Sequence, residues 1–133
     1  MEVMIRDRAV QNIPLLELSS KNDIHKKSVL FILHVYLGRK ESCLEIGYRF
    51  AKKHFLVILF DAHLHGELET AEFRNSDSLE KASRFLEVMQ KTTDSISAIS
   101  TEYENEGFAD IRRTGLLGFS MGGNIRVQLP FQR

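Results

Sequence analysis

A serine lies between two glycines near the end of the chain. Gly118, Ser120 and Gly122 form the pattern Gly-x-Ser-x-Gly, and the apolar run 114–119 leads into it. At a sharp turn from a strand into a helix, side chains two residues either way would clash with neighbouring elements, and glycine removes that clash. The turn lifts the hydroxyl above the sheet edge and directs the N-terminus of the next helix at it. The spacing predicts that Ser120 is a nucleophile, with Gly118 and Gly122 structural at its site.

This glycine-rich stretch has two other interpretations. A turn between strand and helix that only needs tight packing gives the same pattern, and it stays open. A dinucleotide-binding fingerprint is disfavoured, because Ser120 occupies the space between the glycines and no Gly-x-Gly-x-x-Gly can be drawn.

All the histidines precede the serine along the chain: His25, His34, His54, His63 and His65. His63 and His65 are two residues apart after an apolar run, so their imidazoles would point the same way and offer a shared metal site. A metal-dependent hydrolase using His63 and His65 is therefore one alternative function, and the less favoured of two. The run Asp61-x-His63-x-His65 also resembles the first-strand signature of metal-dependent amidohydrolases, whose full barrel has roughly 200 or more residues, so the preferred interpretation has no metal and no cofactor.

Continuous apolar runs alternate with helical segments. Three of them cover 28–34, 55–60 and 114–119. Runs without alternation are typical of strands that are buried on both faces of a parallel sheet. Two shorter runs, 2–8 and 13–18, predict an antiparallel hairpin before them. The order predicts a three-layer α/β/α fold with a mostly parallel sheet.

Two capping boxes predict where the intervening helices begin. Ser42 with Glu45 predicts the first start. Asp77 with Glu80 predicts the second, a long helix that ends just before Gly107. Apolar residues at helical spacing predict the buried face of this second helix: Leu79, Ala82, Phe85, Leu86, Met89, Ile96, Ile99 and Tyr103.

Composition limits the class of protein. Lys and Arg number 18, as do Asp and Glu, and this balance disfavours a nucleic-acid partner. No apolar run reaches the ~20 residues of a membrane span, and the first residues lack the order of a secretory signal. The single cysteine, Cys43, cannot form an internal disulfide, which favours a reducing compartment. We predict one cytoplasmic domain over residues 1–133, without a membrane partner.

Three segments, taken in order, resemble the α/β-hydrolase superfamily. The run 29–38 resembles its third strand and oxyanion loop, and 60–67 resembles the end of its fourth strand. The segment around Ser120 resembles the nucleophile elbow after the fifth strand. The branch looks most like dienelactone-hydrolase-like esterases and prolyl-oligopeptidase-type hydrolases, which often carry Gly-x-Ser-Met-Gly-Gly. The resemblance implies a sheet of order 1-2-4-3-5.

The resemblance also implies residue roles. Ser120 would attack the ester or amide carbonyl of a small acyl substrate. The backbone N–H of Met121, together with that of Tyr36 or Val35, would stabilise the oxyanion. His34 would be structural, hydrogen-bonded under the oxyanion loop, rather than a catalytic base.

Some positions depart from the family pattern. Val35 stands where glycine is usual, so its β-branched side chain is expected to disturb the oxyanion loop. His63-Leu64 replaces the usual Arg-Gly, and His54 stands where a helix-ending glycine is common.

In the family, an acid and a histidine follow the nucleophile. The thirteen residues after Ser120 contain neither type. We therefore expect an incomplete domain, the N-terminal half through the elbow, with little hydrolysis by this chain alone. A truncated, non-catalytic hydrolase-like protein is the rival interpretation. The fifth strand would form an unpaired edge, so we also expect self-association there.

Overall fold

A mixed sheet of five strands organises the chain in a computed structural model that describes residues 2–21, 26–107 and 109–118. The strands are β1 (Val3–Val10), β2 (Ile13–Ser20), β3 (Lys27–Leu33), β4 (Leu56–Phe60) and β5 (Ala109–Gly118). Their spatial order is β1-β2-β4-β3-β5, which confirms the expected order. β2 pairs antiparallel with β1 and β4, whereas β3 pairs parallel with β4 and β5.

Helices connect the parallel strands. They are α1 (Leu44–Ala51), α2 (Ala71–Asn75), α3 (Ser78–Ser83) and α4 (Phe85–Glu106), with 3₁₀ turns at Lys40–Cys43 and Gly66–Leu68. α1 lies between β3 and β4, and the other three lie between β4 and β5. The sequence prediction missed α2, whose cap is Thr70: its hydroxyl accepts the Phe73 N–H at 3.1 Å.

The sheet has a buried core on each face, as the fully apolar strands predict. Alternate residues of one strand point to opposite faces. Phe31 and Ile58 therefore pack with the α4 side chains, whereas Ile32 and Leu59 pack with those of Cys43 and α1. The result is the predicted three-layer arrangement.

The predicted helix starts needed correction. Ser42 caps nothing: it lies in the 3₁₀ turn, and α1 follows Cys43 without a side-chain cap. The long second helix is two helices, because the backbone leaves helical geometry at Arg84, with φ −96° and ψ 3°. Asp77 does cap the first of them, accepting the Glu80 N–H at 2.8 Å. Gly107 ends the second in the left-handed conformation, as predicted.

The predicted buried stripe was also partly wrong. Leu79 is 80% exposed and Leu86 73%, and Ala82 is exposed as well. The break at Arg84 separates Leu79 and Ala82, which lie in α3, from the α4 core face. The buried residues of that face follow one another at spacings of three and four: Val88, Thr92, Ile96, Ile99 and Tyr103. Leu86 lies outside this series, which is why it faces water.

Candidate active site

His34 follows β3 and bridges two loops. Its Nε2 accepts the N–H of Ala62 at 3.0 Å, and its Nδ1 lies 2.7 Å from the carbonyl oxygen of Val35. Because a backbone N–H can only donate, Nε2 is unprotonated and Nδ1 carries the proton. Burial lowers the pKa of this imidazole, so it is neutral. Both ring nitrogens are engaged, and the arrangement leaves neither for a proton transfer.

His65, in the loop after β4, makes the reciprocal contact. Its Nε2 accepts the N–H of Leu37 at 2.9 Å, and its Nδ1 donates to the carbonyl oxygen of His63 at 2.8 Å. Burial lowers the pKa of this ring too. The two rings, called here the histidine pair, have centroids 5.3 Å apart. Each loop therefore supplies a histidine that holds a backbone amide of the other.

This geometry weighs against the metal interpretation of His63 and His65. Neither nitrogen of His65 can bind a metal unless it breaks a hydrogen bond to the backbone. His63 points elsewhere, with its Nε2 3.7 Å from the carboxylate of Glu87. Within the residues that the structure describes, no three His, Cys, Asp or Glu side chains are grouped as metal ligands.

A buried ion pair lies beside the histidine pair, and the sequence prediction missed it. Asp61 is fully buried and accepts the N–H and the Nζ of Lys40, both at 2.9 Å, and the N–H of Glu67 at 3.1 Å. Burial of Lys40 would lower its pKa, but hydrogen bonds to Glu67, Asp61 and Glu41 outweigh it and raise the pKa. Lys40 is thus charged at neutral pH.

Gly66 explains how tightly this carboxylate is enclosed. Its φ is +55°, and a Cβ built there would lie 2.1 Å from Oδ1 of Asp61. Any side chain at this position would displace the carboxylate. The segment from Asp61 to Glu67 therefore folds around its own first residue.

The loop after β3 is a tight turn. The N–H of Gly38 donates to the carbonyl oxygen of Val35 at 2.9 Å. The residue that takes positive φ is Leu37, at 67°, whereas Val35 is not among the positive-φ residues. Val35 therefore needs no positive φ in this turn: the strain falls on Leu37, whose amide is held by His65.

Tyr36 fixes this turn to the helices after β4. Its hydroxyl donates to the carbonyl oxygen of Lys81 at 3.0 Å, and its ring contacts that of Phe85 edge to face, with centroids 5.4 Å apart. The backbone of Tyr36 is thus located by α3 and α4 as well as by β3.

Two of the departures from the family pattern coincide with left-handed backbone. His54 has φ 71° and Leu64 has φ 64°. A non-glycine residue in this region costs of order 1–3 kcal/mol. The usual glycine at each position is therefore explained by the backbone, and this chain tolerates the strain at both.

The remaining predicted site residues fall at the end of the chain. Gly118 ends β5 and pairs with Leu33, the residue before His34. Ser120, Met121 and Gly122 lie outside the described residues.

A pocket of about 310 Å³ opens between the turn after β3 and α1. His34, Val35 and Cys43 are among the residues that line it. Burial raises the pKa of the Cys43 thiol, so this group is protonated and not nucleophilic.

The sheet order, the two covered faces and the loops at the ends of β3 and β4 define the class: the chain has the α/β-hydrolase fold. Over 94% of its length it superposes on a candidate dienelactone hydrolase from Klebsiella pneumoniae (53% of that chain, 17% identity, TM-score 0.69). It likewise superposes on TT1662 from Thermus thermophilus (50% of that chain, 23% identity, TM-score 0.71). A candidate acetyl xylan esterase from Bacteroides fragilis gives a TM-score of 0.69 at 13% identity, with 94% and 43% of the two chains covered.

A sequence relative points the same way. The chain is 32% identical over 124 residues to the candidate esterase YitV of Bacillus subtilis, covering 91% of this chain and 46% of that protein. The chain therefore spans about half the length of the proteins it matches. No protein-family model matches it. Within the described residues, no helix is both long and apolar enough to cross a membrane.

Proposed function

We propose that this chain carries the nucleophile and part of the oxyanion site of a serine hydrolase that acts on carboxylic esters or amides. The observation that carries the proposal is the register of β5, whose last residue, Gly118, lies beside Leu33 at the start of the turn after β3. A residue two positions beyond Gly118 is at most ~7 Å from it along the chain. This short separation along the chain supports the proposal that Ser120 acts at that turn.

The turn also supports the choice of oxyanion donor. The N–H of Leu37 already donates to His65, which removes it as a candidate. The N–H of Tyr36 is the donor that we propose, with that of Met121 as its partner. Such donors act where charge develops on the carbonyl oxygen, and removing one typically costs about 3–4 kcal/mol of transition-state stabilisation.

Ester hydrolysis is the reaction that the relative supports, because YitV carries the name of a candidate esterase. The substrate that we propose is a small acyl ester. Neither ring of the histidine pair can act as the general base without breaking a hydrogen bond to the backbone, since both nitrogens of His34 and of His65 are engaged. We propose that the base for Ser120 comes from another segment or a second polypeptide, and that this chain alone turns over a p-nitrophenyl ester hardly above background.

A fluorophosphonate probe tests the nucleophile. The expected result is slow covalent labelling of Ser120, identified by mass spectrometry, which added imidazole accelerates by supplying the missing base. Ser120→Ala should abolish the labelling, and Ser95→Ala, at a half-buried position of α4, should leave it unchanged. Labelling that survives Ser120→Ala, or no labelling with imidazole present, would overturn the proposal.

A further inference from the structure

We propose that the N-terminal ends of the parallel strands, opposite the candidate active site, carry an anion site for the phosphate or diphosphate group of a small molecule. A pocket of about 440 Å³ lies there, at the starts of β3 and β4, away from the turn that follows β3. The residues around it come from 26–28, from 53–55 and from Arg113 in β5. The inference does not depend on the role of Ser120.

The charged side chains that line this pocket are all basic. Lys26, Lys27, Lys53 and Arg113 line it together with His54, and none of the described residues that line it is acidic. The carboxylate of Asp110 binds Nε of Arg113 at 2.9 Å and offsets one positive charge. The protein as a whole has no net charge, so this concentration of cations is a local feature.

A bulge in β5 brings Arg113 to the pocket. Ser28 pairs with Asp110, but the next residue, Val29, pairs with Thr114, so 111–113 are extra residues in β5. Bulges commonly redirect a side chain at a binding site. The guanidinium is held in place, since it also donates to the carbonyl oxygen of Lys26 at 3.1 Å.

The chemistry of the cations defines the ligand. A guanidinium presents paired donors to phosphate oxygens, and lysine ammonium groups supply point charges around it. The Nζ of Lys27 already donates to the Ser20 carbonyl oxygen at 2.7 Å. The contacts of Arg113 use its Nε and Nη2, with Asp110 and the Lys26 carbonyl oxygen. Lys26, Lys53 and the Nη1 side of Arg113 are therefore the groups that would contact the anion. The pocket exceeds the volume of a lone phosphate, which favours a diphosphate or a phosphate ester.

Calorimetric titration of the full chain with pyrophosphate tests this site, with sodium chloride at equal ionic strength as the reference. Two matched pairs of variants distinguish binding in the pocket from nonspecific attraction to positive charge. They compare Lys53→Gln with Lys52→Gln, and Arg113→Gln with Arg112→Gln. Lys52 lies over the Tyr48 ring and Arg112 is largely exposed, and neither lines the pocket.

The expected result is saturable binding that Lys53→Gln and Arg113→Gln each weaken by roughly three- to tenfold, whereas the two control variants change it less than twofold. Circular dichroism of each variant confirms that its fold is retained. Equal weakening within a pair, or no saturable binding beyond the effect of salt, would overturn the proposal.

Discussion

The histidine pair makes the loops at the candidate site sensitive to pH. The Nε2 of His34 accepts the N–H of Ala62, and the Nε2 of His65 accepts the N–H of Leu37. Protonation of either Nε2 would replace this hydrogen bond with two N–H groups that face each other. Burial lowers the pKa of both rings below the ~6.5 of an exposed histidine. Below pH ~6.5 the unfolded chain thus binds more protons than the folded one. The two histidines therefore contribute to the free energy of unfolding above that pH, and this contribution is lost as pH falls.

We therefore expect the free energy of unfolding, measured in urea, to decrease as pH falls from about 7 to 5. The double variant His34→Gln/His65→Gln keeps an acceptor near each amide and cannot titrate, so its pH dependence should be markedly flatter. His63, whose pKa burial also lowers, remains as a residual contributor. An unchanged slope in the double variant would contradict this explanation.

The buried pair of Asp61 and Lys40 should be costly to break. Asp61→Asn leaves the Lys40 ammonium, which is 1% exposed, without its buried carboxylate. Breaking such a pair typically costs about 3–5 kcal/mol. The matched control is Glu45→Gln, because Glu45 forms an exposed pair with Arg49 and its loss should cost less than ~1 kcal/mol. Equal urea midpoints for the two variants would show that the buried pair contributes little.

At the level of elements, the C-terminal half of α4 is tied to the hairpin of β1 and β2. The hydroxyl of Tyr103 donates to Oε1 of Glu17 at 2.6 Å, and Arg6 donates to the same oxygen at 3.0 Å. Arg8 forms a bidentate salt bridge with Glu106, with hydrogen bonds of 2.9 and 3.0 Å. These polar contacts join the helix to the two antiparallel strands, which are distant from it in sequence.

Removing the tyrosine hydroxyl tests this connection. Tyr103→Phe keeps the buried ring but deprives the Glu17 carboxylate, which is 8% exposed, of one donor. We expect a loss of about 1–3 kcal/mol in unfolding free energy. Tyr48→Phe, at a residue that is 42% exposed, should change it by less than ~0.5 kcal/mol. A loss below that level for Tyr103→Phe would show that Arg6 and Arg8, both paired with Glu17, satisfy the carboxylate without the tyrosine.

Sequence patterns predicted some elements well and others poorly, for physical reasons. The sheet order followed from the family resemblance, and the strands from their apolar runs. The break at Arg84 has no proline or glycine to mark it, and the start of β5 is hidden because its bulge contains Arg112 and Arg113. At the site, Lys40 was missed because lysine is rarely buried. The contact of His65 with Leu37 depends on two loops that the sequence does not show to be adjacent.

For the whole molecule, the open side of β5 decides how the isolated chain behaves. Among the described residues, β5 pairs only with β3, and no described strand lies on its other side. We expect the purified 133-residue polypeptide to self-associate, with scattering mass that rises with concentration. Ile5→Lys, on the opposite edge strand and 55% exposed, should leave this association unchanged. A constant monomer mass with one cooperative thermal transition would contradict the prediction.

The reciprocal histidine contacts also constrain the order of folding. Each joins residues 28 positions apart, across the whole of α1 and β4. Neither turn can acquire its final form until β4 has docked against β3, so the candidate site forms late relative to the local helices. In the folded chain, the amide protons of Leu37 and Ala62 should then exchange with solvent deuterium at a common rate, which reports the separation of these two strands.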